Sequence, residues 1–150
     1  MIIEVEIETE AWSTALPDAE TLARTAAEAA LAGAGGPADA VVTVLLTGDG
    51  EVAELNARFR HKDGATNVLS FPAPATARPH LGDLALAYET CAREAEAQGK
   101  PLAHHLSHLV AHGALHLLGW DHRTDDEAEA MEALERTVLA VLGIPDPYAP

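Results

Sequence analysis

The segment from His112 to His122 contains three histidines at spacings of four and six residues, with Gly119 between the second and the third. On a helix, His112 and His116 lie on the same face, because residues four apart are separated by about one turn. Gly119 allows a tight turn at the helix end, which brings His122 toward the other two imidazoles. Three neutral imidazoles leave the fourth position of a tetrahedral zinc ion open, as in catalytic rather than structural zinc sites. The segment therefore predicts a helix that carries an open metal site.

Length and composition predict one domain. The chain has 150 residues, 48% of them hydrophobic, which is enough to build one buried core. Its single cysteine, Cys91, excludes an internal disulfide and is compatible with a reducing compartment. The N-terminal residues lack a basic segment followed by an apolar run, and no apolar stretch approaches the ~20 residues that span a bilayer. We therefore expect a single cytoplasmic domain over residues 1–150, with no membrane partner.

The net charge of −15 argues by itself against a nucleic-acid partner, because such binding draws on Lys and Arg side chains. The distribution of the basic residues weakens the case against a nucleic-acid partner. Four of the nine basic residues fall between positions 58 and 78, namely Arg58, Arg60, Lys62 and Arg78. The pattern is compatible with a local positive rim on an acidic protein.

Hydrophobic periodicity predicts an α+β fold, with a mixed sheet of about four strands and about five helices. We expect strands over 3–7, 40–46, 67–71 and 82–87, and helices over 19–31, 52–60 and 88–98, from 101 and from 125. The β-branched run at 40–46 is continuous rather than alternating, which predicts a strand buried on both faces. The last helix has its apolar stripe at Met131, Leu134, Val138 and Val141.

Three further residues near the histidine segment are candidates for parts of a site. His105 and His108 share the helical stripe of His112, but they lie ~5–10 Å further along the axis, too far to share one ion. We expect them to be polar or solvent-facing. Asp121 either accepts a hydrogen bond from a ligand imidazole or caps the following turn, and the sequence leaves both roles open.

Gly113 distinguishes this segment from the zinc peptidases. Their motif His-Glu-x-x-His-x-x-Gly-x-x-His matches at positions 112, 116, 119 and 122, but glycine stands where the peptidases carry their general base. A metalloprotease-like hydrolase therefore remains only an alternative.

Arg60 is a second candidate for chemistry. It ends a predicted helix beside the glycine-containing loop at 62–64. A guanidinium there could bind a phosphate through two parallel hydrogen bonds. It would also be favoured at a helix C-terminus by the helix dipole alone, so the position does not by itself assign a role.

Three blocks of the chain resemble the YbeY family of bacterial endoribonucleases, which mature ribosomal RNA. The first block is Leu-Asn-Ala-Arg-Phe-Arg at 55–60, followed by Asp63 and by Thr-Asn-Val-Leu-Ser-Phe-Pro at 66–72. The second is Leu-Gly-Asp-Leu at 81–84, and the third runs from His108 to His122. With the closing Leu-Gly-Ile at 142–144, the blocks follow the order and spacing of the family over about residues 40–145.

The resemblance implies one Zn²⁺ per chain, held by His112, His116 and His122, and it marks Arg60 as the catalytic arginine. It also implies a single-stranded RNA substrate, chiefly the 3′ end of precursor small-subunit rRNA, a role in ribosome quality control, and the ribosome or ribosomal proteins as partners. In this hypothesis, zinc activates water or polarises a phosphoryl oxygen while Arg60 stabilises the developing charge. The remaining alternative is a non-catalytic, metal-dependent ribosome-associated factor.

Overall fold

Four strands form one mixed sheet in the computed structural model, which describes residues 1–149. The strands are β1 (Ile2–Ile7), β2 (Val41–Thr47), β3 (Val68–Pro72) and β4 (His80–Ala87). Their spatial order is β1-β2-β4-β3, with β1, β2 and β4 parallel and β3 antiparallel to β4. The strand β3 is therefore an edge strand that is paired on one side only.

Six α-helices accompany the sheet within residues 1–149. They are α1 (Glu10–Ala15), α2 (Ala19–Gly33), α3 (Asp49–Arg60), α4 (Tyr88–Gln98), α5 (Leu102–Leu117) and α6 (Asp125–Val141). The predicted α+β class is confirmed. The helix absent from the prediction is α1, whose six residues are too few to show a clear helical period. None of the helices in this part of the chain is both long and apolar enough to cross a bilayer.

The two faces of the sheet are covered unequally. On one face, alternate β2 residues such as Val42 and Val44 are fully buried in the core that α2 and α5 complete. On the opposite face, α3 packs through Val52, and Leu45 is only half-buried. The predicted burial of residues 40–46 on both faces is thus wrong for one face, because α3 offers few apolar side chains to cover it.

Helix α6 begins where the sequence predicts, but its buried face differs. A capping box starts it: the Thr124 hydroxyl accepts a hydrogen bond from the Glu127 N–H, and the Glu127 carboxylate accepts one from the Thr124 N–H. The predicted apolar stripe included Val141, which is 77% exposed. An acidic residue, Glu135, is instead fully buried on the same side as Met131.

Candidate metal centre

Helix α5 ends in a turn that folds the chain back toward its last residues. The Trp120 N–H donates to the carbonyl of Leu115 at 3.1 Å, and the Gly119 N–H donates to the carbonyl of His116 at 3.0 Å. These two bonds form a Schellman motif, which needs a residue of positive φ, and Gly119 has φ +97°. The turn predicted from Gly119 is present.

The three predicted histidines converge at this turn. The Nε2 atoms of His112 and His116 are 3.0 Å apart, and one ring nitrogen from each of the three residues lies within 4.8 Å of the others. The ring of His122 has its centroid 5.6 Å from that of His112 and 5.1 Å from that of His116. The first two imidazoles are half-buried and the third is exposed, so the group opens to solvent on one side.

Hydrogen bonds at Nδ1 determine the orientation and the tautomer of two of these imidazoles, His112 and His116. The Nδ1 of His116 donates to the Trp120 carbonyl at 2.8 Å, and the Nδ1 of His112 donates to Glu135 at 3.1 Å. Since both partners only accept, the neutral imidazoles carry their lone pairs on Nε2. Two lone pairs 3.0 Å apart repel each other unless a cation lies between them. The donor set therefore fits a metal ion that prefers nitrogen ligands.

Burial keeps one of these imidazoles neutral. It lowers the pKa of His116, and the neighbouring imidazoles of His112 and His122 lower it further, against the opposing effect of the Trp120 carbonyl. A neutral imidazole is the form that binds a metal ion.

Glu135 also contacts this centre, and it is not among the residues predicted from the sequence. Burial raises its pKa, but hydrogen bonds from His108 and His112 outweigh burial and hold the pKa at about 2, so the carboxylate is ionised. The Tyr148 hydroxyl donates to the same carboxylate, 3.0 Å from each oxygen. The signal in the sequence was an acid four residues after Met131, on the buried side of an amphipathic helix.

His105 and His108 are polar, hydrogen-bonded residues, as one of the two predicted alternatives states, but the other alternative is wrong because neither faces solvent. His105 is 4% exposed and its Nε2 lies 2.9 Å from Glu94, while the Nε2 of His108 lies 2.8 Å from Glu135. Burial lowers the pKa of His105, although its hydrogen bond with Glu94 acts in the opposite direction. Helices α4 and α6, which carry these carboxylates, pack against α5 and cover both imidazoles.

Asp121 makes its contacts with the two residues that follow it. Its carboxylate accepts a hydrogen bond from the His122 backbone N–H at 2.8 Å, and that bond lowers the pKa of the Asp121 carboxyl. The other carboxylate oxygen lies 2.8 Å from the Arg123 guanidinium. Within the described residues, the carboxylate that meets the imidazole of His112 is therefore Glu135 rather than Asp121.

Arg60 and the three imidazoles line the same cleft, which has a volume of about 1070 Å³. Arg60 is the last residue of α3, and its guanidinium donates to the backbone carbonyl of Ser70 on the edge strand β3. The guanidinium also lies 5.6 Å from the ring centroid of Phe71. Because a guanidinium has five N–H donors, most of them remain for a ligand in the cleft.

Packing against the sheet explains why position 113 is glycine, and the sequence alone did not show this contact. A Cβ at this position would lie 2.8 Å from a methyl carbon of Leu84 and 3.2 Å from the Ser70 hydroxyl. The position therefore faces the sheet, and glycine lets α5 approach β4 closely. A general base placed here would be directed at the sheet, which removes the structural support for a peptidase.

A family profile and the sequences of curated relatives both match this chain to the same family. A profile described as Endoribonuclease YbeY matches residues 4–143. A protein named Endoribonuclease YbeY from Rhodopseudomonas palustris is 52% identical over 97% of this chain and 80% of the relative. One of the same name from Azorhizobium caulinodans is 54% identical over 99% of this chain and 97% of the relative. The fold is similar to the solution structure of a Thermotoga maritima protein, with a TM-score of 0.60 and 24% identity over 99% of this chain and 100% of that one.

Proposed function

Because the chain belongs to the YbeY family of endoribonucleases, we propose that it is a zinc-dependent, single-strand-specific enzyme that matures the 3′ end of small-subunit rRNA. As a member of this family it hydrolyses RNA phosphodiester bonds. We propose further that residues 1–150 form one catalytic domain, which acts in the cytoplasm with the ribosome or ribosomal proteins and serves ribosome quality control. The observation that carries the proposal is the shared cleft of Arg60 and the three imidazoles.

In this proposal, His112, His116 and His122 hold one Zn²⁺. The ion supplies Lewis-acid chemistry when bound, since it polarises a phosphoryl oxygen and lowers the pKa of water. Glu135 and the Trp120 carbonyl position two of the imidazoles by accepting their Nδ1–H bonds, so that both Nε2 lone pairs are directed into the cleft.

Arg60 has the catalytic role of stabilising negative charge that develops on the phosphate. The Ser70 carbonyl holds its positively charged guanidinium at the wall of the cleft. A donor that is already in place loses little energy to reorganisation when charge develops. Removal of such a donor typically lowers kcat by roughly 10²–10³-fold.

The test compares Arg60→Ala with the wild-type protein in cells and with purified components. We expect the precursor of small-subunit rRNA to accumulate with Arg60→Ala, while the folded variant still sediments with ribosomes. Arg24→Ala is the matched control, because Arg24 is a partly exposed arginine on α2 that pairs with Glu20 and does not line the cleft. Normal rRNA ends with Arg60→Ala would contradict the enzymatic role and favour a non-catalytic ribosome-associated factor.

The metal and the nucleophile need separate measurements. Elemental analysis of the purified protein is expected to give about one zinc per chain. Analysis of the product ends identifies the nucleophile, since a 2′,3′-cyclic phosphate indicates attack by the ribose 2′-hydroxyl, whereas a 5′-phosphate with a free 3′-hydroxyl indicates attack by water.

A further inference from the structure

Aromatic residues are concentrated at the cleft. The chain has two Phe, two Trp and two Tyr residues. Trp12 and Tyr88 pack edge-to-face in the core, with ring centroids 5.2 Å apart. The other four all line the cleft: Phe59, Phe71, Trp120 and Tyr148. Trp120 and Phe71 also pack against the core and Tyr148 donates to Glu135, which leaves Phe59 as the ring that packing does not explain.

Phe59 is the most exposed of these aromatic residues. It is 58% exposed, between Arg58 and Arg60 at the end of α3. Its ring meets that of Phe71 edge-to-face, with centroids 5.8 Å apart and an interplanar angle of 71°. The Arg58 guanidinium lies 5.8 Å from the Phe59 centroid. An exposed ring flanked by guanidinium groups is the arrangement on which proteins stack the bases of single-stranded nucleic acids.

Phe59 and Phe71 also line a second groove, of about 440 Å³, so these two rings belong to the walls of both the groove and the cleft. This base groove lies on the half-covered face of the sheet, where Leu45 and Leu55 form an apolar floor. Its volume is within the roughly 300–1000 Å³ that is typical of small-ligand pockets. The groove accounts for the face of β2 that remains only half-buried.

The groove and the cleft differ in the charged residues that line them, so they favour different parts of a ligand. The charged residues that line the base groove are Glu6 and Asp83, and both are acidic. They repel a phosphate and favour a neutral group. The cleft next to the groove carries Arg60, which attracts a phosphate. A nucleotide fits both spaces only when its base enters the groove and its phosphate stays in the cleft.

We infer that Phe59 and Phe71 form a base-binding subsite, in which an unpaired nucleobase stacks on Phe59 while the adjoining phosphate lies at Arg60. The inference rests on the proposed endoribonuclease function and adds a physical reason for single-strand preference. In a duplex, both faces of each base are already stacked on neighbours, so the ring of Phe59 has no free face to contact.

The first test replaces the aromatic ring. Phe59→Leu keeps an apolar side chain but removes the π face, whereas Phe59→Tyr keeps the face. We expect Phe59→Leu to raise KM for a single-stranded oligoribonucleotide about tenfold, with little change in kcat, and Phe59→Tyr to restore it. Val141→Ala is the control, because Val141 is 77% exposed on α6 and does not line the cleft. An unchanged KM with Phe59→Leu would overturn the inference, and it is also the result expected if the groove binds an apolar protein segment.

The second test removes the base from the substrate. A single abasic residue is moved through the oligoribonucleotide, and we expect one position to raise KM for the wild-type enzyme but not for Phe59→Leu. An equal penalty in both proteins at every position would overturn the subsite.

A binding measurement separates the subsite from the proposed function. 2-Aminopurine at the sensitive position is expected to lose fluorescence when the wild-type protein binds, and to lose less with Phe59→Leu. If the wild-type protein binds the oligonucleotide without cleaving it, the proposed function fails. The quenching then still decides the subsite, since equal quenching in both proteins contradicts it and a difference supports it.

Discussion

Two of the histidine–carboxylate pairs on helix α5, His105–Glu94 and His112–Glu135, differ in which ring nitrogen meets the carboxylate. His105 uses Nε2 to contact Glu94, and its Nδ1 is buried without a hydrogen-bond partner in the described part of the chain. His112 uses Nδ1 to contact Glu135, which leaves its Nε2 beside that of His116. The same two residue types therefore give a buried structural pair in one place and a candidate ligand in the other.

The carboxylates differ as much as the imidazoles. The Glu94 side chain is 34% exposed and also accepts a hydrogen bond from the Asn67 amide. The Glu135 side chain is 1% exposed and depends on donors from three residues, namely His108, His112 and Tyr148. A buried carboxylate with several donors holds an imidazole in one orientation more firmly than a half-exposed one. The comparison predicts that changes around Glu135 affect metal binding and that changes around Glu94 affect stability alone.

The largest expected effect is the loss of the metal ion when His116, the neighbour of His112 in the site, is replaced. We expect His116→Ala to reduce bound zinc from about one ion per chain to about none, because two imidazoles alone do not complete the site. His105→Ala should keep the metal and lose about 1–3 kcal/mol of stability, since it leaves a carboxylate without its partner. Elemental analysis and urea unfolding measure the two effects. Retention of full zinc by His116→Ala would remove the site assignment.

The carboxylate and the imidazoles in this region should affect the stability of the protein in different pH ranges. The pKa of Glu135 falls from 4.5 to about 2 on folding, so its stabilisation is complete above about pH 4.5 and is lost as the pH falls toward 2. This difference corresponds to at most ~3 kcal/mol. The pKa values of His105 and His116 are lowered from 6.5, so their stabilisation begins to be lost as the pH falls below 6.5.

Urea unfolding of the metal-free protein over these ranges separates the contributions. We expect His105→Gln to weaken the pH dependence just below 6.5, and Glu135→Gln to weaken the dependence below 4.5. A wild-type unfolding free energy that stays constant between about pH 5 and pH 3 would contradict the ionised, buried state of Glu135.

A conservative change at each carboxylate gives the most direct comparison. Glu135→Gln keeps the shape of the side chain but removes its charge, and we expect a 10–100-fold loss in zinc affinity, roughly the range for partners of ligand histidines. Glu94→Gln makes the same change at the first pair and should leave zinc affinity unaltered. Competition with a chromophoric chelator measures both values, and equal affinities for the two variants would show that the pairs do not differ in the way proposed.

The smallest expected effect concerns the hydroxyl that holds Glu135. Tyr148→Phe removes one donor to the buried carboxylate and should cost about 1 kcal/mol of stability, with a smaller loss of zinc affinity than Glu135→Gln. Tyr88→Phe is the control, because Tyr88 packs on Trp12 in the core, away from the cleft. A Tyr148→Phe variant with wild-type stability and affinity would show that the hydroxyl does not support the carboxylate.

The parts of the fold that could be predicted are those fixed over short stretches of chain. Periodicity and end signals gave the strands, five of the helices and the start of α6, because capping and alternation involve neighbouring residues. The convergence of His112, His116 and His122 was predictable for the same reason, since one turn of helix and a Schellman motif span only a few residues.

The parts that could not be predicted depend on contacts between elements. His105 was expected at the surface, but α4 covers it, and no local pattern records that packing. The half-buried face of β2 was missed because its burial depends on how much apolar surface α3 offers across the sheet.

The sequence by itself determined the three imidazoles, the turn that brings them together and, through three matching blocks, the family that the chain resembles. It did so because residues on one helix and its following turn are placed by local geometry. Only the tertiary structure decided which nitrogen each imidazole presents, since that depends on Glu135 from α6 and on the Trp120 carbonyl. It also decided that Arg60 and the ring of Phe59 share a cleft with the histidines, because packing across the edge strand β3 joins segments that are distant in the chain.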